Sequence, residues 1–362
     1  MSLKSKSYIF LLVITTFVIS CTSDTADEEL LLSNTTIDTS SQDQNDDSQN
    51  QIVIKELIRG ADGCTNVVIV DGYAYAACDT QIQIAELATG AVTMLSSAAD
   101  DITADSRGAI FTQSGATVRM FTLEDPMAPL QVATGTADGG PFSGISAAGC
   151  SLVISGGVLN TRVFRYSFEA PYLELTTNGI PIVDQETGAP DVHVAITGAG
   201  EVTAFYSEDI GNVANWAIQP VVFNGAAELQ STPARTVLTQ GSFPGPFGAP
   251  FGPANFPVES EFLDGRLYVA HFAAQGIEVV DVASGNLLSP FSLPYDPINI
   301  GTDGESLFVV GVTNDQVDVI DPDSGNVIES LGNLNTPSGV AADATHIAVA
   351  DQLLGLVIIP RN

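Results

Sequence analysis

Leu267-Tyr-Val-Ala-His-Phe-Ala-Ala-Gln-Gly-Ile-Glu-Val-Val-Asp-Val-Ala-Ser-Gly-Asn286 and Leu307-Phe-Val-Val-Gly-Val-Thr-Asn-Asp-Gln-Val-Asp-Val-Ile-Asp-Pro-Asp-Ser-Gly-Asn326 follow one plan, 40 residues apart and without a gap. Asp281 falls on Asp321, Gly285 on Gly325 and Asn286 on Asn326. The plan recurs at Ala74 to Ala91, where Thr89-Gly90 replaces Ser-Gly, and in shortened form at Ile347 to Ile359. A fixed period of this length is the mark of a repeat architecture.

Each unit reads as strands. One strand runs into an Asp-Gly turn (Asp71-Gly72, Asp264-Gly265, Asp303-Gly304), a hairpin signal. An aromatic or β-branched strand follows, then a short polar loop, a Val/Ile strand, a Ser-Gly or Thr-Gly turn and a last strand. Four strands in about 40 residues, repeated, make a β-propeller blade. The expected fold is therefore all-β: a propeller of seven four-stranded blades, starting near residues 63, 99, 141, 190, 258, 296 and 336. The irregular fourth unit leaves six blades as the alternative. The last unit has room for only three strands. Gln51 to Leu57, with apolar Ile52, Ile54 and Leu57, is expected to supply the fourth and close the ring, which would remove exposed sheet edges.

These strand–loop–strand–Asp–Ser-Gly-Asn units resemble the YVTN/NHL-type seven-bladed propellers of bacteria, a superfamily that includes lactonase-like enzymes. The WD dipeptide of WD40 blades is absent, and so are the tryptophan-docking repeats of quinone-dependent dehydrogenases, since Trp216 is the one Trp. What the resemblance implies is fold, because one fold hosts many functions.

Residues outside the repeat give an address. Lys4 and Lys6 precede an apolar run from Tyr8 to Ile19, too short to span a bilayer comfortably, so residues 1–20 read as a cleaved signal. Val18-Ile19-Ser20-Cys21 resembles a bacterial lipobox, which implies lipidation of Cys21 and an anchor in the outer membrane of a Gram-negative cell. Residues 21–50 contain eight acids and no Lys, Arg, Gly, Pro or aromatic. Such a segment reads as a disordered tether with a typical span of about 30 Å. Asp24, Asp27, Glu28 and Glu29 soon after Cys21 resemble the surface-export signals of Bacteroidetes lipoproteins. Residues 51–362 form the propeller domain.

The charge is strongly one-sided. The chain has 43 acidic and 11 basic side chains and a formal net charge of −32, of which 35 acids against nine bases, net −26, fall on residues 51–362. Nucleic acid and anionic membrane surfaces are disfavoured as partners. Propeller topology collects the blade-entry loops and the ends of the second strands on one face. That assigns Asp79, Asp101, Asp191, His193, Glu259, Glu261, His271, Asp296 and Asp351 to a cup at the channel mouth. Converging carboxylates suit a hard cation such as Ca²⁺; equally, a chain this acidic carries carboxylates everywhere. His271 departs from its repeat, standing where Gly311 and Asp351 stand in aligned blades.

Three further features stand out. Asp321-Pro-Asp323-Ser-Gly325-Asn326 has the look of a calcium loop, but the equivalent Asp281-Val-Ala283-Ser-Gly285-Asn286 keeps only the turn residues, so a glycine turn is expected there. Phe243, Phe247, Phe251 and Phe256 punctuate a Pro/Gly-rich connection between blades four and five. That connection reads either as a contact loop for a protein or extended ligand, or as a lid whose rings pack onto the mouth. Cys64 and Cys78 flank the first hairpin: a three-residue loop at 70–72 would set them opposite, a two-residue loop one register apart, and an exported location permits a disulfide. The leading expectation is a non-catalytic binding or assembly platform on the cell envelope. The alternative is a lactonase-like hydrolase with a divalent cation in the cup and His271 or His193 as proton carrier.

Overall fold

The computed structural model describes residues 63–136, 142–156, 162–178, 192–198, 201–209, 216–224, 226–238, 256–272, 275–311 and 315–361. These residues form seven antiparallel sheets arranged as a seven-bladed β-propeller, and no helix occurs among them. The innermost strands are Cys64–Val70, Asp101–Asp105, Phe142–Ala148, Val192–Gly198, Phe256–Leu263, Pro297–Thr302 and Pro337–Ala342. Each starts within two residues of the position expected from the repeat. The fourth unit is a blade, irregular because its second and third strands, Glu201–Asp209 and Trp216–Asn224, reach nine residues and its outer edge is split in two. That removes the six-blade alternative.

Blades are buried on both faces, so their middle strands read as unbroken apolar runs rather than alternations. Tyr73–Cys78 (Tyr-Ala-Tyr-Ala-Ala-Cys) is buried at all but its first residue, and Leu307–Gly311 is buried throughout. The core is divided into seven clusters, one for each blade interface. Tyr75 and Ile84 meet Ile102 and Phe121 between blades 1 and 2, and Phe308 and Val310 meet Val340 and Val349 between blades 6 and 7. Ala348, Ala350 and Leu356 meet Cys64, Val67 and Ala74 between blades 7 and 1. The ring therefore closes through direct packing of its ends. Two hydrogen bonds join the same seam: Ser338 Oγ donates to the Cys64 carbonyl (2.6 Å), and the Leu356 N–H donates to Gln83 Oε1 (3.0 Å). The seventh sheet has three strands among the described residues; Gln51–Leu57, expected to add the fourth, lies outside them.

Turn chemistry follows the repeat with one exception. Asp71-Gly72 (φ 49° and 78°) and Asp264-Gly265 (φ 51° and 77°) are two-residue turns with positive φ at both positions, the type that matches strand twist. Asp303-Gly304 differs: Thr302 pairs with Leu307 across a four-residue loop, and Asp303 Oδ1 accepts the N–H groups of Glu305 (2.8 Å) and Ser306 (2.6 Å). At the Ser-Gly turns, Asp281 Oδ1 accepts the Ser284 N–H (2.7 Å) and Asp321 Oδ1 accepts those of Asp323 (2.8 Å) and Ser324 (3.0 Å). Gly285 and Gly325 sit at φ 68° and 71°. These aspartates are turn clamps, as the repeat comparison indicates.

The first hairpin resolves the cysteine register. The two-residue turn pairs Val70 with Tyr73, and continued pairing would set Thr65 opposite Cys78. A bulge at Thr65 inserts one residue and brings Cys64 opposite Cys78 instead. Their Cα atoms are 4.0 Å apart and the sulfurs are bonded. The same register shift occurs in blades 5, 6 and 7 between Pro257 and Glu259, Pro297 and Asn299, and Pro337 and Gly339. Bulges re-aim side chains, and here they do so at the start of the innermost strands.

Candidate functional site

The innermost strands surround an axial cavity of about 320 Å³ to which all seven blades contribute, among them His193, Glu259 and Glu261. A second cavity of about 190 Å³ lies at the start of these strands, lined by Asp100, Asp101, Gln113, Glu259 and others. Asn66, Glu259 and Asn299 belong to both linings, so the two spaces form a channel and its mouth. Neither lining includes a Lys or Arg among the described residues.

The walls are held by bonds that step from blade to blade. Asn66 Nδ2 donates to Asp101 Oδ1 of the next blade (2.8 Å). Asn299 Nδ2 donates back to Glu259 Oε2 (3.4 Å), and Asn299 Oδ1 accepts the Val340 N–H of blade 7 (3.0 Å). The bulge residues add to this. Thr65 Oγ1 donates to the Asp100 carbonyl (2.7 Å), as Ser338 Oγ does to Cys64 across the ring seam. Asp100 Oδ2 accepts the Gly115 N–H (2.7 Å), which fixes the second turn of blade 2 at the mouth.

Two titratable groups in the channel are displaced from their ordinary behaviour. Burial pushes the Asp101 carboxyl up to about 6, against the Asn66 amide and the backbone N–H groups of Ile102 and Ile145, which favour its charged form. Desolvation outweighs these bonds, although part of Asp101 stays accessible at the mouth. Burial also lowers His193 to about 4, partly offset by a backbone hydrogen bond with Ser260. His193 Nε2 lies 3.8 Å from Glu261 Oε1, beyond hydrogen-bond range, and its imidazole is neutral at pH 7.

The structure gathers four of the cup residues at the channel: Asp101, His193, Glu259 and Glu261. It separates others. His271 is fully buried; its Nε2 lies 3.2 Å from Glu278 Oε2, also buried, and neither residue lines the channel. Alternation along Arg266–Phe272 turns His271 to the side of Val269, which packs between blades 4 and 5. Asp351 is fully buried and consumed by backbone: its oxygens accept the N–H groups of Asn335 (2.7 Å), Leu353 (2.9 Å) and Leu354 (2.9 Å). Asp79 is exposed at its turn, and Asp296 is half-buried ahead of its strand; neither lines a cavity. Asp191, Cys21, Phe243, Phe247 and Phe251 lie outside the described residues, as does the Phe256 side chain. No three His, Cys, Asp or Glu side chains come together in a metal-holding group among the described residues.

Sequence reasoning missed Asn66, Asn299 and Gln113. A search for charged groups passes over amides. The signal was nonetheless present: Asn66, Asp101, Glu259 and Asn299 occupy one repeat position, near the start of the innermost strand.

No protein-family model matches the sequence, and no curated protein matches it. Solved structures do. A chain of a crystal structure of the mitotic checkpoint complex superposes with a TM-score of 0.61 at 8% identity, over 92% of this chain and 99% of that one. A chain of Kuenenia stuttgartiensis hydrazine synthase gives 0.60 at 11%, over 87% and 99%. At these identities the likeness is one of fold.

Proposed function

We propose that this chain is a cell-envelope lipoprotein that displays its propeller as a non-catalytic binding platform, with the channel and its mouth as the ligand-facing site. The observation that carries the binding reading is the acidic channel to which all seven blades contribute, with no Lys or Arg in its lining among the described residues. Concave sites with a few convergent polar groups are where ligands bind. The envelope assignment rests on Val18-Ile19-Ser20-Cys21 and the acidic tether behind it. The Phe/Pro connection between blades 4 and 5 is the second contact surface, suited to a protein or an extended ligand.

The hydrolase alternative is less well supported. It requires carboxylates converging on a cation and a histidine at the reacting atom. His271 and Asp351 are instead buried in the body of the blades, His193 is the one candidate histidine that lines the channel, and no metal-holding group of three side chains lies around it among the described residues.

The test is differential. Thr103 lines the channel, so Thr103→Trp fills it from a single position. A ligand panel is screened by thermal shift against the wild type and this variant. The platform reading expects at least one ligand class that stabilises the wild type and not the filled channel. A panel of cations, sugars, peptides and lactones in which nothing depends on Thr103 refutes it, and turnover of a lactone by the wild type alone favours the hydrolase.

A further inference from the structure

We propose that the channel mouth binds a linear aliphatic polyamine, one ammonium group entering among Gln113, Asp101 and Glu259 and the chain running down the axis toward Glu261; this rests on the channel being the ligand site. The decisive group is Gln113. It is 1% exposed, lines the mouth cavity, and its Oε1 has no hydrogen-bond partner, while its Nε2 donates to the Gly115 carbonyl (3.3 Å). A buried acceptor left unpaired is costly, and a donor arriving in the cavity would satisfy it.

The donors already at the mouth are turned inward. The Thr65 and Ser338 hydroxyls donate to backbone carbonyls, and the Asn66 and Asn299 amides donate to Asp101 and Glu259. The acceptors of the lining are the carboxylates of Asp100, Asp101 and Glu259 and the Gln113 oxygen, so a guest with N–H or O–H groups and positive charge complements it. Size separates an organic cation from a metal ion. About 190 Å³ would hold several waters at ~30 Å³ each, and no metal-holding group of three side chains exists among the described residues.

Length follows from strand geometry. Glu259 and Glu261 are two residues apart on one innermost strand and both reach the channel, which sets them about 6–7 Å apart. Two ammonium groups joined by four methylenes span a similar distance. The neutral imidazole of His193 beside Glu261 adds no competing charge, and burial of Asp101 is relieved by any cation that enters. The net charge of −32 draws polycations toward the site.

The test is calorimetric titration of the full mature chain, unlipidated through Cys21→Ser, with spermidine, 1,4-diaminobutane, 1,2-diaminoethane and n-butylamine at physiological salt. The expected result is one site, with the four-carbon diamine bound at least tenfold tighter than the two-carbon diamine or the monoamine. Gln113→Leu and Glu259→Gln are each expected to weaken spermidine about tenfold or more, and Glu329→Gln, on the exposed outer edge of blade 6, to leave it unchanged. Gln113→Leu removes an unpaired buried acceptor together with one long bond to the Gly115 carbonyl, so its melting temperature should change little; should it fail to fold, Glu259→Gln carries the test. The proposal is overturned by affinities indifferent to both variants, by many weak sites that salt abolishes, or by stoichiometric displacement with Ca²⁺ or Mg²⁺. A ligand of another class that depends on Thr103 while polyamines fail would overturn this proposal and leave the platform reading standing.

Discussion

Replacing Asp101 with Asn should stabilise the protein at neutral pH and leave it unchanged in acid. The Asp101 carboxyl is raised from 3.8 to about 6 by burial. Between these values the folded chain binds a proton that the unfolded chain has released. Stability therefore falls as pH rises through that window, and the whole cost is present above pH 6. About two pH units at 1.36 kcal/mol each give roughly 3 kcal/mol as the upper bound. Asn cannot ionise, and its Oδ1 can still accept from the Asn66 amide and the Ile102 N–H, which now bond Asp101 Oδ1 at 2.8 Å each. The variant thus keeps these two bonds and loses the charge, giving up only the bond from the Ile145 N–H, which an amide nitrogen cannot accept. At an unfolding entropy of roughly 0.6 kcal/mol/K for about 300 residues, the gain corresponds to a rise in melting temperature of about 5 °C. The assay is thermal unfolding of wild type and variant from pH 3.5 to 8. The difference should grow from near zero to its plateau between pH 4 and 6. A difference that is constant with pH, or a variant less stable at pH 7.5, would refute the desolvation argument.

Other outcomes follow from the same structure. His193, lowered from 6.5 to about 4, makes the unfolded state the better proton binder in that window, so His193→Gln should gain stability below pH 5 relative to wild type and show no such gain at pH 7.5, read in the same scans. Because this slope opposes that of Asp101, the gain of Asp101→Asn should grow as pH rises and that of His193→Gln as pH falls. Loss of the Cys64–Cys78 bond, which closes a loop of 14 residues, should cost about 3 kcal/mol; a Cys64→Ala/Cys78→Ala variant is compared by urea unfolding, and peptide mapping without reductant should recover the linked peptide. Cys21→Ser should abolish incorporation of labelled palmitate and release the protein from the membrane fraction. Deleting residues 51–57 should lower the melting temperature by several degrees if they complete the seventh blade, and an unchanged value would show that blade to be stable with three strands.

The fold was legible because a propeller repeats its instructions. Asp-Gly and Ser-Gly turns recur at fixed offsets, and blade starts follow to within two residues. The cysteine register was legible only as a pair of alternatives. A bulge leaves no mark in composition, and Thr65 reads like any strand residue until its pairing is seen. Asp303-Gly304 imitates a two-residue turn, but Asp303 uses its carboxylate to clamp a longer one. The site was less legible still. Topology names the face on which a loop lies, whereas the direction of a side chain depends on strand parity. His271 and Asp351 stand at the expected strand ends yet point into the packing between blades or into a loop. Asp101, Glu259 and Glu261 stand on innermost strands, whose side chains have the channel beside them.

The same residues that bind the ring together also define its charged interior, and the two roles pull in opposite directions. Asn66–Asp101 and Asn299–Glu259 are cross-blade bonds that any amide or acid at these positions could make. Amides alone would make them without the desolvation that raises Asp101, and a leucine at 113 would remove an unpaired acceptor. The cross-blade bond therefore does not by itself require an acid at 101, nor does the packing require a glutamine at 113. The desolvated Asp101 and the unpaired Gln113 oxygen are small losses of stability at one end of one channel, while the aspartates at the turns, such as Asp281 and Asp321, are satisfied by their own backbone and sit below the usual carboxylate range. A desolvated carboxyl and an unpaired amide oxygen side by side in one cavity suit a ligand that meets both. Variants that neutralise them should be more stable when empty and lose that advantage as the ligand is added, a crossing that a purely structural role for these residues would not produce.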